Sequence, residues 1–194
     1  IHRADLHRVL LSKLDPSTVH SNKRIVDIVT QGEKTLLTFQ DGSMHEAEVL
    51  VAADGIHSPI RNKLLPNSKE RYAGYTCWRA IIDNTKLQIT ESSETWGSNG
   101  RFGIVPLAHN KIYWFACINA KAQDEKMKAL RVADLAEHFK NFHTPIPQIL
   151  QETKDEHLLW NDINDLQPIH QLAFGNIVLI GDAGHATTPN MGQG

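Results

Sequence analysis

The sequence lacks the features that mark several classes of protein. It contains only two cysteines in 194 residues, Cys77 and Cys117, which are far apart and show no Cys-x-x-Cys spacing. This favours reduced, buried thiols in a cytoplasmic protein over a disulfide framework. The formal net charge is only -2, so we expect neither nucleic acid nor a membrane surface as a partner. No apolar run has the length of a membrane span, and we expect no secretory signal.

The sequence also lacks a metal-binding pattern. It has eleven histidines, but no two of them form a His-x-x-x-His pair, and His138 and His143 lie one position too far apart for that spacing. Because two ligands on one helix face need a spacing of three or four residues, we expect no metal site.

The residues that are present describe a globular chain. Its 41% hydrophobic and 22% charged residues are typical of a protein with a sizeable core. Apolar residues recur at Leu6, Val9, Leu10 and Leu14, which predicts an amphipathic helix that packs on a sheet and ends before Pro16.

Two local patterns follow in the first third of the chain. Residues 24–30 and 35–40 predict strands of a small antiparallel sheet, and Asp41-Gly42 predicts a hairpin turn. Ser58 and Pro59 predict a helix start, with serine as the N-cap and proline at the first helical position, and this places Arg61 in the first turn.

Two short apolar runs each end at an acidic residue. Residues 48–53 lead to Asp54-Gly55, and residues 177–180 lead to Gly181-Asp182. We expect both runs to be strands buried on both faces of a parallel sheet. Ligands of open α/β sheets lie beyond the carboxyl ends of the strands, where an acid commonly accepts a hydrogen bond from a ribose hydroxyl. The two acids therefore predict a nucleotide site at one sheet edge.

The middle of the chain predicts a second, antiparallel sheet with a helix. Its aromatic residues are mostly expected in the core, with one or two lining a substrate pocket; Trp96 and Trp114 are the candidates. The predicted strands are residues 71–83, 91–97, 101–107, 111–119 and an edge strand at 158–166, and the helix is 132–142, interrupted by Pro145-Ile146-Pro147.

The final residues predict a turn and a helix start. Thr187-Thr188-Pro189 and Gly192-Gln193-Gly194 are a polar turn followed by a helix N-terminus, whose free N–H groups can face an electron-rich ligand. We expect the chain to be a segment of a longer protein, because a domain is not expected to end at its own binding loop.

Three motifs together resemble one enzyme family. The helix motif from Arg3 to Leu6, the Asp-Gly motif within residues 49–61 and the Gly-Asp motif within residues 181–194 resemble those of class A flavoprotein monooxygenases, which share the fold of para-hydroxybenzoate hydroxylase. The last motif is most similar to the branch with urate hydroxylase, hydroxynicotinate hydroxylase and zeaxanthin epoxidase. The family's first Gly-x-Gly-x-x-Gly unit and its C-terminal helices have no counterpart in these residues.

The resemblance implies a fold and an activity. The fold class is α/β (α+β), with a partial FAD/NAD(P)-binding parallel-sheet domain of residues 1–70 and 171–194. An antiparallel-sheet substrate domain of residues 71–170 is inserted into it. The parent enzyme would use FAD, NADH or NADPH, and O2 to insert one oxygen atom into an electron-rich, aromatic or unsaturated small molecule. The chain alone would be inactive.

The resemblance also implies which residues hold the cofactor, and it identifies no catalytic side chain, since the chemistry belongs to the flavin. The cofactor-binding residues implied are Arg3, Asp54, Gly55, Arg61, Gly181, Asp182, Pro189, Gly192, Gln193 and Gly194.

Two alternatives remain open at this point. One is a non-catalytic fragment or binding module of the same fold without FAD. The other is a hydrolase in which Asp54 and Asp182 form a carboxylate dyad that shares one proton.

Overall fold

The computed structural model describes residues 2–192, which form two compact units. One unit comprises Leu14–Ala73 and the described residues from Asn164 onwards, and the other comprises the described residues up to Lys13 and Gly74–Ile163.

The unit that contains both acidic motifs has two small sheets. The first is antiparallel, in the order β1-β2-β3, and the second has the order β10-β11-β4. In the second sheet β4 and β11 are parallel, whereas β10 pairs with β11 in the antiparallel direction. The elements are β1 (Ile25–Gln31), β2 (Lys34–Phe39), β3 (Met44–Ala47), β4 (Leu50–Ala52), α2 (Pro59–Leu64), β10 (Ala173–Phe174), β11 (Ile177–Leu179) and α6 (Asp182–His185).

Strand β4 of the parallel pair is buried on one face only. In β4, Leu50 and Ala52 belong to the core of this unit, while Val51 between them is 53% exposed. The prediction of strands buried on both faces is therefore wrong for β4. Successive side chains of a strand point to opposite faces, and within the described residues only one face of this sheet is covered.

Asn176 joins three segments of this unit. Its side-chain amide donates to the carbonyl oxygens of Glu33 and Glu48, at 3.1 and 2.8 Å, and its Oδ1 accepts from the buried Thr35 hydroxyl at 3.0 Å. Its own carbonyl accepts from the Leu50 N–H at 2.9 Å. One side chain thus fixes the β1–β2 turn and the start of β4 to the β10–β11 turn.

The other unit is built on a five-stranded antiparallel sheet in the order β6-β7-β8-β5-β9. Helices cover one face, and their side chains form a core with the sheet around stacked Phe102 and Trp114. The elements are α1 (Arg3–Leu11), β5 (Glu70–Asp83), β6 (Ser93–Gly97), β7 (Gly100–Leu107), β8 (Lys111–Asn119), α3 (Glu125–Ala129), α4 (Val132–His138), α5 (Ile146–Glu152) and β9 (Leu159–Leu166).

Two helices differ from their predictions. The segment that was expected to interrupt a helix instead begins α5, because Pro147 lies in the first turn, where a missing N–H costs no hydrogen bond. Helix α1 forms as expected, but Leu6, Val9 and Leu10 of its apolar stripe are 41 to 56% exposed.

The aromatic residues divide between the two faces of this sheet. Trp114 is fully buried in the core, and its indole N–H donates to the Thr153 hydroxyl at 3.0 Å. Trp96 is 73% exposed. The expectation that Trp114 faces a pocket is therefore wrong, whereas Trp96 lies on the surface.

Candidate functional site

The two acidic motifs lie at the same edge of the parallel strand pair. Strands β4 and β11 pair in register, with Ala52 opposite Leu179, and the Ile180 N–H donates to the Ala52 carbonyl at 2.9 Å. Both strands run in the same direction, so Asp54 and Asp182 follow their carboxyl ends. The sequence prediction that both acids lie at one edge is confirmed.

Glycine shapes the backbone beside each acid. Gly55 has φ +84° and Gly181 has φ +55°, a region that side-chain-bearing residues rarely adopt. A Cβ atom at either position would meet nothing within 4 Å, so both backbones border open space. Gly181 is the N-cap of α6, and its carbonyl accepts from the N–H groups of Gly184 and His185.

The Asp182 side chain does not cap the helix in which it lies. It is the first residue of α6, it is exposed, and the helix has no side-chain cap. Among the described residues, neither Asp182 nor the exposed Asp54 accepts a hydrogen bond from a protein donor. Helix capping therefore does not explain Asp182, and both carboxylates face solvent.

The buried Arg61 side chain forms hydrogen bonds to both motifs. Ser58 caps α2 by accepting from the Arg61 N–H at 2.9 Å, which confirms the predicted helix start. The guanidinium is 1% exposed and donates to the carbonyl oxygens of Ile56, at 2.6 Å, and Ala183, at 3.3 Å. Its Nε has no partner among the described residues.

The buried Arg61 guanidinium keeps its positive charge. Loss of hydration lowers the pKa of Arg61, and the charges of Glu70 and Asp54 oppose that change. Arginine nevertheless stays protonated. A buried cation thus links a carbonyl in the Asp54 loop to a carbonyl in α6.

The remaining predicted cofactor residues are located as follows. Arg3 is the exposed first residue of α1 and belongs to the other unit. Pro189 is exposed, and Gly192, with φ +68°, ends a short 3-10 turn that begins at Asn190. Gln193 and Gly194 lie outside the described residues.

This edge fits a nucleotide with a polyhydroxyl chain. The hydroxyl groups of ribose or ribityl donate hydrogen bonds, and the exposed oxygens of Asp54 and Asp182 are acceptors without a protein donor in the described part of the chain. The open backbone at Gly55 and Gly181 allows a ligand to approach closely. These acceptor groups therefore suit the ribose and ribityl portions of FAD.

The carboxylate dyad finds no support. A shared proton requires a hydrogen bond between the two carboxyl groups, and within residues 2–192 none joins Asp54 to Asp182. In the same range, no three His, Cys, Asp or Glu side chains cluster as a metal site. The helices described there are all too short or too polar to span a bilayer.

The five-stranded sheet has a second face with functional side chains, which we call the outer sheet face and define by Tyr75, Trp96, Arg101, Tyr113 and Phe115. The Arg101 guanidinium lies 5.0 Å from the ring centroid of Tyr75 and 5.7 Å from that of Trp96. The rings of Tyr113 and Phe115 lie 6.1 Å apart. Burial is the main cause that raises the pKa of Tyr113.

A glycine makes this face flat. A Cβ atom at Gly103 would lie 2.1 Å from the Phe115 ring, so only glycine lets that ring rest on β7. Sequence reasoning identified the aromatic strands but missed Arg101 and Gly103. One sequence feature indicated this face. Tyr113 and Phe115 alternate along β8 with the core residue Trp114, so they point to the opposite side of the sheet.

Comparison with known proteins identifies relatives along the whole chain. A family model described as "FAD binding domain" matches residues 5–194. The chain is 35% identical over 195 residues to aurachin C monooxygenase/isomerase of Stigmatella aurantiaca and 29% identical over 197 residues to FAD-dependent urate hydroxylase of Klebsiella pneumoniae. Each alignment covers 100% of this chain and 51% of the relative.

Two further comparisons bear on the predicted branch and fold. Chloroplastic zeaxanthin epoxidase of Arabidopsis thaliana is 30% identical over 196 residues, with 100% of this chain and 29% of the relative covered. The crystal structure of Klebsiella pneumoniae HpxO complexed with FAD and uric acid superposes with a TM-score of 0.87 at 28% identity, over 99% of this chain and 50% of that one.

These matches confirm the resemblance and the fold class inferred from the sequence. The chain spans about half the length of the aurachin and urate hydroxylase relatives. The matched motifs include both acid and glycine loops at the edge of the parallel strands. The chain belongs to the FAD binding domain family, and its relatives include a monooxygenase/isomerase and an FAD-dependent hydroxylase.

Proposed function

We propose that this chain forms part of an FAD-dependent monooxygenase that uses NADH or NADPH and O2 to hydroxylate a small, electron-rich, aromatic or unsaturated molecule. The observation that carries the proposal is the pair of solvent-facing carboxylates, Asp54 and Asp182, at the carboxyl edge of parallel strands in a member of an FAD-binding family.

The proposed roles at this edge follow from the hydrogen-bonding groups. Asp182 accepts from hydroxyl groups of the ribityl or ribose portion, and the open backbone at Gly55 and Gly181 admits the pyrophosphate region closely. Arg61 is a positioning residue, because its bonds to the Ile56 and Ala183 carbonyls fix the two loops relative to each other. When bound, FAD supplies the electron transfer and oxygen activation.

The other predicted cofactor residues remain proposals. Arg3 would contact the dinucleotide. Pro189 and the run Gly192, Gln193 and Gly194 would border the flavin ring, where backbone N–H groups stabilise negative charge.

We propose that the outer sheet face binds the substrate. Tyr113 and Phe115 provide a flat aromatic surface, and Arg101 beside Trp96 provides a cation. Such a face suits a planar molecule that carries hydrogen-bond acceptors or a negative charge. The HpxO structure, which contains uric acid, supports this class of substrate.

The domain assignment belongs to the same proposal. Residues 1–70 and 171–194 would contribute to the FAD domain and residues 71–170 would form the substrate domain. The cytoplasmic location expected from the two cysteines also stays a proposal.

The decisive experiment measures oxygen transfer by the complete protein. We expect the purified protein to contain flavin and to oxidise NADH or NADPH faster when a planar aromatic acid is added. Isotopically labelled O2 should place one labelled oxygen atom in the product. Bound flavin without any label in the product would support the non-catalytic alternative instead.

A further inference from the structure

Cys77 and Cys117 lie directly opposite each other on neighbouring strands. Cys77 is the register partner of Cys117 in the antiparallel pair of β5 and β8. Both side chains project away from the core, because their neighbours Trp78 and Ala116 point into it. Opposed residues in such a pair have Cα atoms about 4.5 to 5.5 Å apart, and disulfides span about 4.4 to 6.8 Å. The backbone therefore holds two free thiols at a separation that a disulfide can bridge.

The two thiols interact and differ in acidity. The neighbouring Cys77 thiol, together with the positive charge of Arg101, lowers the pKa of the Cys117 thiol against the effect of burial. The interaction with Cys117, and then burial, raise the pKa of the Cys77 thiol. Because the thiolate is the reactive form, Cys117 is the nucleophile of the pair and Cys77 is the thiol beside it.

The surroundings of the pair are electropositive. Arg101 on β7 is the register partner of Cys117, and its positive charge lowers the pKa of the Cys117 thiol. The positive charge of Arg79 also acts on Cys77. A cysteine that serves only as a small apolar side chain needs neither a second thiol opposite it nor a cation at its sulfur. Reactive cysteines typically lie in electropositive surroundings, often beside a second thiol. Both thiols are buried here, with Cys77 7% and Cys117 5% exposed, so the oxidant must be as small as hydrogen peroxide.

We propose that Cys77 and Cys117 are a peroxide-responsive pair that closes reversibly into a cross-strand disulfide. The Cys117 thiolate attacks one oxygen of hydrogen peroxide, the O–O bond breaks, and the departing hydroxide is protonated to water, which leaves Cys117 as a sulfenic acid. The Cys77 sulfur then attacks the Cys117 sulfur, the S–S bond forms, and the sulfenic oxygen leaves as water with the Cys77 proton. Two thiols lose two electrons, one peroxide becomes two waters, and a thiol reductant reverses the change.

The pair can be tested by peptide mapping of the folded protein. After brief treatment with hydrogen peroxide, alkylation and trypsin digestion, we expect peptide 72–79 to be linked to peptide 112–121, with the loss of two hydrogen atoms in mass. Dithiothreitol should release both peptides. This test does not depend on flavin content or catalytic activity, so its outcome is separate from that of the proposed function.

Two serine variants test the order of the steps. In Cys77→Ser, peroxide should leave Cys117 as a sulfenic acid that dimedone traps, whereas in Cys117→Ser the remaining thiol should stay unmodified. Melting temperatures show whether each variant is folded. If either variant is unfolded, the wild-type peptide map alone decides the proposal. The proposal is overturned if both thiols of the folded wild type stay reduced, or if Cys117 proceeds to sulfinic acid without any linked peptide.

Discussion

At the scale of single residues, the Arg61 guanidinium is the most constrained charged group near the proposed flavin site. It is buried and its hydrogen bonds reach carbonyls in two separate loops. We expect Arg61→Met to lower the free energy of unfolding by about 1.5 to 3 kcal/mol, because hydrogen bonds to a charged group are lost and the carbonyls of Ile56 and Ala183 lose their donors. Urea denaturation followed by tryptophan fluorescence measures the change.

Lys63 offers a matched control for that substitution. It lies on the same helix, is exposed, and pairs with Asp27 at the surface. Lys63→Met should change stability by less than about 1 kcal/mol, as exposed ion pairs do. Equal losses in the two variants would show that Arg61 does not act through its buried hydrogen bonds.

Asp165 provides a pH-dependent prediction at the same scale. Both of its oxygens accept from Arg71 at 2.8 Å, and this bond lowers the pKa of the carboxyl. A group whose pKa is lower in the folded state adds stability above its unfolded pKa of about 3.9 and loses it as the pH falls through the folded value. The melting temperature of Asp165→Asn should therefore be lower than that of the wild type at pH 7. This difference in melting temperature should disappear at acidic pH. A difference in melting temperature that stays constant down to strongly acidic pH would refute the stabilising role of the Asp165 carboxylate.

At the scale of elements, Asn176 determines how three turns meet. Its side chain bonds the carbonyls of Glu33 and Glu48 and the hydroxyl of Thr35. We expect Asn176→Ala to cost about 1 to 3 kcal/mol, since these buried or half-buried groups lose their partner. Asn67→Ala, at an exposed position of the same unit, is the control. Indistinguishable denaturation midpoints for the two variants would argue against the prediction.

The two faces of the five-stranded sheet should respond differently to truncation. Trp114→Ala removes a fully buried ring stacked on Phe102 and should cost about 3 to 5 kcal/mol. Trp96→Ala, on the exposed side, should leave the melting temperature nearly unchanged and alter which substrates are hydroxylated. Melting temperature and product profile, measured together, separate the two outcomes. If Trp96→Ala keeps the parent's substrate preference, the outer sheet face does not select the substrate.

At the scale of the whole molecule, patterns confined to one segment were predictable and contacts between distant segments were not. Strand β8 has the predicted bounds, because alternating apolar residues between turns determine a strand locally. The cap of α2 at Ser58 was equally local. The register that joins Cys77 to Cys117, and the carbonyls that Arg61 reaches, depend on pairing across the fold.

The candidate site shows the same division. The sequence predicted that Asp54 and Asp182 lie at one sheet edge, because each follows the carboxyl end of a strand and the two strands are parallel. The burial of Arg61 beneath that edge was not predicted, because a guanidinium in a first helical turn has no sequence signal for the loop that it contacts. The exposed face of β4 was missed because a short apolar run is the same whether one face or two are covered.

The most direct test of the central claim is the affinity of the complete, flavin-free protein for FAD. Fluorescence titration should show that Asp182→Ala weakens binding by about one to two decades, the equivalent of about 1.5 to 3 kcal/mol for a hydrogen bond to a charged acceptor. Glu33→Ala, an exposed acid of the same unit, should leave the constant unchanged. An unchanged constant for Asp182→Ala, or a wild-type protein that binds no FAD, would contradict the account.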